Sequence, residues 1–280
     1  MVLKSLDIGA DALVWDLEDA VHLAEKDLAR TTIFKSLQNL ASNPKPIYVR
    51  INSLGAGMLE ADLAHIVHPG LYGVMLSKSE SPTQVKQLDH ALTLLETARE
   101  LPPGAIKIHC ILETCLGVLN AYAIAASSSR IDGISFSAED FTLDLGTARN
   151  RDGAELAFPR ASIGLAAGAA KVLAIDTVYS DLNDEEGLAR ECRVARQFGY
   201  KGKFALHPKQ LDIINREFSP SASELAYAEK VVEAFAKAQE ANIGVITVDG
   251  KMIDPPGVER ARQYCASNAK TERALLWDAY

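Results

Sequence analysis

The chain has 280 residues, 48% of them hydrophobic, enough to bury one large α/β core with an appendage or two ordinary domains. Its 29 basic and 37 acidic residues leave a net charge of -8 with no Lys/Arg run, which argues against a nucleic-acid surface but leaves room for a local basic pocket around a phosphorylated small molecule. Cys110, Cys115, Cys192 and Cys265 show neither C-x-x-C spacing nor a secreted disulfide framework and read as reduced thiols inside a cell. No apolar run of about 18 residues and no signal or transit pattern occurs, so the expectation is a soluble protein with no membrane partner, cytoplasmic, or mitochondrial if a presequence is missing.

A helix-like opening, "VLKSLDIGA", leads into the first of seven short apolar segments: "ALVWDL" (12–17), "IYVRIN" (47–52), "GVMLSK" (73–78), "KIHCIL" (107–112), "GISFSA" (133–138), "AIDTVY" (174–179) and "FALHP" (204–208). Each is followed by a helix-like stretch, the pattern of repeated βα units on a parallel sheet, and their near-continuous apolar character suits strands covered on both faces. The expectation is a TIM (β/α)8-type barrel over residues 1–217 that lacks its usual first strand, since seven segments are visible where a barrel has eight. The pattern then changes. "SASELAYAEKVVEAFAKAQEAN" carries apolar residues at helical spacing behind a capping box at Ser221, "GVITVDGKMIDPP" suggests a hairpin at Asp249-Gly250, and a last helix is expected from about Val258. Residues 218–280 therefore read as a C-terminal helical lid segment.

Polar residues gather where the apolar segments end: Asp16, Glu18 and Asp19, Arg50 and Asn52, Lys78, Glu113, Glu139 and Asp140, and His207. In a barrel that rim is the active-site face. Glu113 and Asp140, on neighbouring strand ends, could share a Mg2+ or Mn2+ ion completed by water, or each could pair with Arg50, Lys78 or Arg130. Arg50 could hold a substrate carboxylate or an enolate oxygen, or form a plain salt bridge to the acidic "DLEDAV" rim. Lys78 reads as a cation lining an anionic pocket rather than a Schiff-base lysine, because so many rim carboxylates favour its charged form. His65 and His68, three apart, read as a solvated helix end, and Gly164 with Gly168 as small residues permitting close helix packing.

"GADALVWDLEDAV", "YVRIN", "ILETCLGVLNAYAIA", "RIDGISFSAEDFTLDLG", "ALHPKQLDIIN" and "GKMIDPP" together resemble the citrate lyase β-subunit-like acyl-CoA lyases of the HpcH/HpaI aldolase superfamily, in the family's order from residue 9 to about 266. The resemblance implies a Mg2+-dependent carbon–carbon lyase (Mn2+ the alternative ion). Its substrate would be a 3-hydroxyacyl-CoA such as citramalyl-, malyl- or citryl-CoA, cleaved to acetyl-CoA and a keto acid, or formed from them. By the same likeness Glu113 and Asp140 match the metal ligands, Arg50 the substrate-contacting arginine, and His207, in "ALHPKQ", a loop near coenzyme A. Asp254 matches an acid that reaches a neighbouring subunit's site, so a homotrimer or dimer of trimers is implied. Three departures from the family pattern stand out: the absent "RSLLFVPG"-like first strand, Ser77 in "LSK" for "LPK", and "SAED" where a glycine is usual. The alternatives are a CoA-independent class II aldolase acting on 2-keto-3-deoxy acids and a catalytically idle barrel kept as an assembly partner.

Overall fold

The computed structural model describes residues 2–40, 45–240 and 244–269. Seven parallel strands form one sheet in sequential order: β1 (Leu13–Asp16), β2 (Ile47–Ile51), β3 (Gly73–Leu76), β4 (Lys107–Leu112), β5 (Ile131–Phe136), β6 (Leu173–Asp176) and β7 (Gly202–Lys203). Such an order arises when every strand returns parallel to its predecessor through a crossover of fixed hand, so the sheet curls into an open, TIM-like barrel. Among the described residues, β1 and β7 are its two edges. Within the strands Val49, Val74, Ile108, Cys110, Leu112 and Ile134 are fully buried, as the unbroken apolar runs require.

Eleven α-helices are described. Those of the barrel are α1 (Lys26–Leu37), α2 (Leu59–Ile66), α3 (Pro82–Ala98), α4 (Cys115–Leu119), α5 (Ala121–Ala125), α6 (Ala138–Leu145), α7 (Ala157–Ala170) and α8 (Glu185–Gln197). The remaining three are α9 (Leu211–Phe218), α10 (Ala222–Glu240) and α11 (Pro255–Ala269). None is long and apolar enough to cross a membrane. The helix-like opening is a 3-10 helix, Val2–Asp7.

The seventh strand lies earlier than the "FALHP" segment suggests. Lys203 is fully buried in it, and its ammonium donates to Asp176 Oδ2 (2.7 Å) at the end of β6 and to Glu191 Oε2 (2.8 Å) on α8, while Arg160 of α7 pairs with the same two carboxylates. A buried ionic cluster thus replaces the apolar signature by which a strand is usually read. His207, expected at that strand's end, sits beyond it as the cap of a 3-10 turn, its Nδ1 accepting from the Lys209 N–H (3.2 Å). Of the two small residues of α7, only Gly164 marks a close approach: a Cβ there would lie 2.1 Å from the Phe198 carbonyl oxygen, whereas Gly168 has open space.

The chain divides into two units between Ile214 and Asn215. In the second, α10 starts with the capping box expected at Ser221: Glu224 N–H donates to the Ser221 hydroxyl oxygen (3.2 Å), and Ser221 N–H to Glu224 Oε2 (2.8 Å). β8 (Ile246–Val248) and β9 (Lys251–Ile253) form an antiparallel hairpin. Its turn residues Asp249 and Gly250 both have positive φ (47° and 78°), the conformation of a primed hairpin turn. Ala228, Val231, Phe235, Val248, Val258 and Ala261 make the unit's apolar core. The last helix starts at Pro255, three residues before Val258, because Asp254 Oδ1 accepts from the Gly257 N–H (3.0 Å) and caps it, and proline is tolerated at a first helical position.

Candidate active site

Strand register places the site. Asp16 of β1 pairs with Arg50 of β2, Arg50 with Met75 of β3, and Met75 with His109 of β4, so these side chains share one face of the sheet. Side chains alternate along a strand, so Glu113, four residues after His109, continues on that face just past the C-terminal end of β4. Asp140 comes from the first turn of α6, after β5. Its carboxylate accepts from the Ser137 hydroxyl (3.2 Å), and the helix N-terminus favours its negative charge.

Glu113 is 2% exposed. Its Oε1 accepts from the Lys78 main-chain N–H at 2.6 Å, and among the described residues no cationic side chain stands within ion-pair distance of it. Burial pushes its carboxyl up to about 7, and the charges of Asp140 and Glu18 add to the rise against the lowering by the Lys78 N–H and Arg50. Arg130, one sequence-level candidate partner, is committed elsewhere, to Asp89 (2.5 Å) and Glu96 (2.7 Å).

Arg50 makes the salt bridge to the acidic rim that its sequence context allowed. Nε and Nη2 donate to the two oxygens of Asp16 (2.7 and 2.5 Å), and Nη1 lies 3.1 Å from Glu18 Oε2. A guanidinium has five N–H donors, so two remain for a ligand while its plane is fixed. Burial would lift Asp16, but the Arg50 hydrogen bond and charge hold it below the usual carboxylate range; burial raises Glu18. The Lys78 ammonium stands 3.6 Å from Glu18 Oε1. Burial would lower it, yet Glu18, Asp19, Glu113 and Asp140 together keep it above the ordinary lysine value, which suits an ion-pairing cation and not an imine-forming amine. Asp16 and Glu18 are the parts of this cluster whose clamp on Arg50 the "DLED" motif only hinted at.

Glu139 turns to Arg149 Nη1 (3.0 Å), and Arg149 also donates to Glu191 Oε1 (2.6 Å), so the extra acid beside Asp140 is paired. His65 is half-buried, with Nδ1 2.9 Å from the Ala61 carbonyl, and His68 lies outside α2. Asp254 belongs to the second unit, where it is exposed and caps α11.

The donor set of Glu113 and Asp140 fits a hard divalent cation. One carboxylate is buried with its charge unmatched, the other adds to that charge, and no group of three or more His, Cys, Asp or Glu side chains that could hold an ion occurs among the described residues. An ion here would take its other oxygens from water and ligand, as Mg2+ usually does.

The model of the HpcH/HpaI aldolase/citrate lyase family matches residues 1–208. The chain belongs to this family. It is 39% identical over 263 residues to citrate lyase subunit beta of Leuconostoc mesenteroides subsp. cremoris, an alignment covering 94% of this chain and 87% of that one. It is also 30% identical over 271 residues to the mitochondrial citramalyl-CoA lyase of Homo sapiens, covering 93% and 79%. Among solved structures it resembles the CitE protein of Mycobacterium tuberculosis in complex with magnesium, acetoacetate and coenzyme A, at 32% identity and a TM-score of 0.72, covering 95% of this chain and 90% of that one. A citrate lyase of Burkholderia xenovorans LB400 shares the fold at a TM-score of 0.80 and 18% identity.

Proposed function

We propose that this HpcH/HpaI family member is a Mg2+-dependent carbon–carbon lyase that cleaves, or forms, a 3-hydroxyacyl-CoA, giving acetyl-CoA and a keto acid. The observation that carries the reading is Glu113, a buried carboxylate beside Asp140 with no cationic side chain within ion-pair distance among the described residues, whose charge a bound cation would balance. It is supported by relatives named citrate lyase subunit beta and citramalyl-CoA lyase and by a similar protein solved with magnesium, acetoacetate and coenzyme A.

In this reading Glu113 and Asp140 hold Mg2+, which when bound would supply charge for the hydroxyl and carboxylate oxygens of the substrate. Arg50, immobilised by Asp16 and Glu18, presents its two free N–H groups to the thioester oxygen, where negative charge grows as the carbon–carbon bond breaks. Lys78 keeps its proton and adds positive potential beside that oxygen. In the same reading His207, which caps the 3-10 turn past the end of β7, belongs to a loop that contacts coenzyme A. Asp254 is assigned the proton exchanged at the acetyl carbon, acting from a neighbouring subunit of a homo-oligomer, a trimer or dimer of trimers. Titration calorimetry tests the ion site: the parent should bind Mg2+ and Asp140→Ala should not, while equal affinities would overturn the assignment.

A further inference from the structure

Lys78 has a φ of 49°, in the left-handed region that a residue with a Cβ rarely adopts. Nothing in the side chain demands this, since its ammonium is only loosely paired with Glu18 at 3.6 Å. The loop around it, however, is pinned at every step. Ser77, 1% exposed, donates its hydroxyl to the Ile51 carbonyl of β2 (2.9 Å). Ser79, fully buried, donates its N–H to the Ile111 carbonyl of β4 (3.1 Å) and its hydroxyl to the Leu76 carbonyl (2.9 Å). Asn120 Nδ2 donates to the Glu80 carbonyl (2.8 Å), and α4 lies so close that a Cβ on Gly117 would come within 2.5 Å of the Ser79 carbonyl oxygen. Residues 77–80 are thus wedged between β2, β4 and α4. The one outcome of that shape that reaches the site is the Lys78 N–H, aimed at Glu113 Oε1 from 2.6 Å.

We propose that Lys78 is a positioning residue that acts through its main chain: the wedged loop holds it left-handed so that its N–H fixes the orientation of the Glu113 carboxylate. Strain kept at one residue is then the means of aiming a ligand group, and Ser77, standing where the family pattern has proline, supplies one of the pins. The consequence for ion binding rests on Glu113 being an ion ligand; the amide–carboxylate clamp does not.

Two readouts separate these. The first needs no metal. In NMR spectra of the parent at pH 8 the Lys78 amide proton should lie downfield and exchange slowly, and Glu113→Gln should move it upfield; an amide indifferent to that change would overturn the clamp. The second is Mn2+ affinity measured from the free-ion EPR signal for Lys78→Ala, Lys78→Gly and Lys78→Val. Ala and Gly keep the amide and delete the ammonium, and should bind within about threefold of the parent. Val, β-branched and least tolerant of positive φ, should bind on the order of tenfold more weakly than Ala, the scale of losing an outer-shell partner. Equal affinities for Val and Ala would overturn the role of the conformation. A tenfold loss in both Ala and Gly would assign the effect to the ammonium instead. A downfield amide that responds to Glu113→Gln, with no Mn2+ bound by the parent, would remove Glu113 as an ion ligand, and the positioning role with it, while leaving the hydrogen bond in place.

Discussion

Glu113→Gln should stabilise the metal-free protein above neutral pH, the opposite of what removing a hydrogen-bonded charged group usually does. Glu113 titrates near 7 in the folded chain against 4.5 for an ordinary glutamate. A carboxyl raised in this way binds its proton more tightly when folded, so stability is highest below about pH 4.5 and falls as pH rises through 7, where the folded protein must carry the buried charge. A difference of roughly 2.5 powers of ten, at 1.36 kcal/mol each, is about 3 kcal/mol. Glutamine keeps the shape and can accept from the Lys78 N–H but never ionises. Thermal melts of the metal-free proteins at pH 5 and pH 8 should therefore show the variant and parent close together at pH 5, and the variant higher by on the order of 5–10 °C at pH 8. Adding Mg2+ at pH 8 should raise the parent, by about 2.7 kcal/mol at a hundredfold excess over Kd, and leave the variant unmoved. A variant that melts no higher than the parent at pH 8 would refute the claim that Glu113 is an uncompensated buried charge.

Lys203→Met should cost about 3–5 kcal/mol in denaturant melts, because it leaves the buried Asp176 with Arg160 as its one remaining cationic partner among the described residues, an arginine it must share with Glu191; a loss under about 1 kcal/mol would mean the cluster is solvated. Mixing inactive Asp254→Ala with inactive Glu113→Ala subunits should restore part of the activity if one subunit's acid serves another's site, and failure after native mass spectrometry has shown subunit exchange would remove that role.

The barrel was legible because parallel strands buried on both faces must be apolar and can turn polar only at their ends: "IYVR" and "KIHCILE" announce both a strand and a rim residue. β7 lacks that signature, because Lys203 is buried by pairing with Asp176 and so carries no hydrophobic signal. The start of α11 is masked in the sequence because the two prolines after Asp254 look like a break, although proline suits a first helical turn and Asp254 is the cap. Arg50 was readable as a rim cation, but its bidentate grip by Asp16 depends on the register of β1 against β2, which no local pattern states. The left-handed Lys78 was invisible for a different reason: lysine gives no hint of positive φ, and the conformation is imposed by the pins of its neighbours Ser77 and Ser79 to β2 and β4 and by the packing of Gly117 and Asn120 against the loop.

Incubating the protein with Mg2+ and a panel of citramalyl-, malyl- and citryl-CoA, and following acetyl-CoA by mass spectrometry, tests both the ion site and the acyl-CoA lyase activity. Acetyl-CoA should form from at least one member, stop when the ion is chelated, and be absent with Asp140→Ala. Acetyl-CoA that forms equally well under chelation, or with Asp140→Ala, would contradict an ion site at Glu113 and Asp140, and no acetyl-CoA from any member, with the protein folded and Mg2+ bound, would contradict the acyl-CoA lyase reading itself.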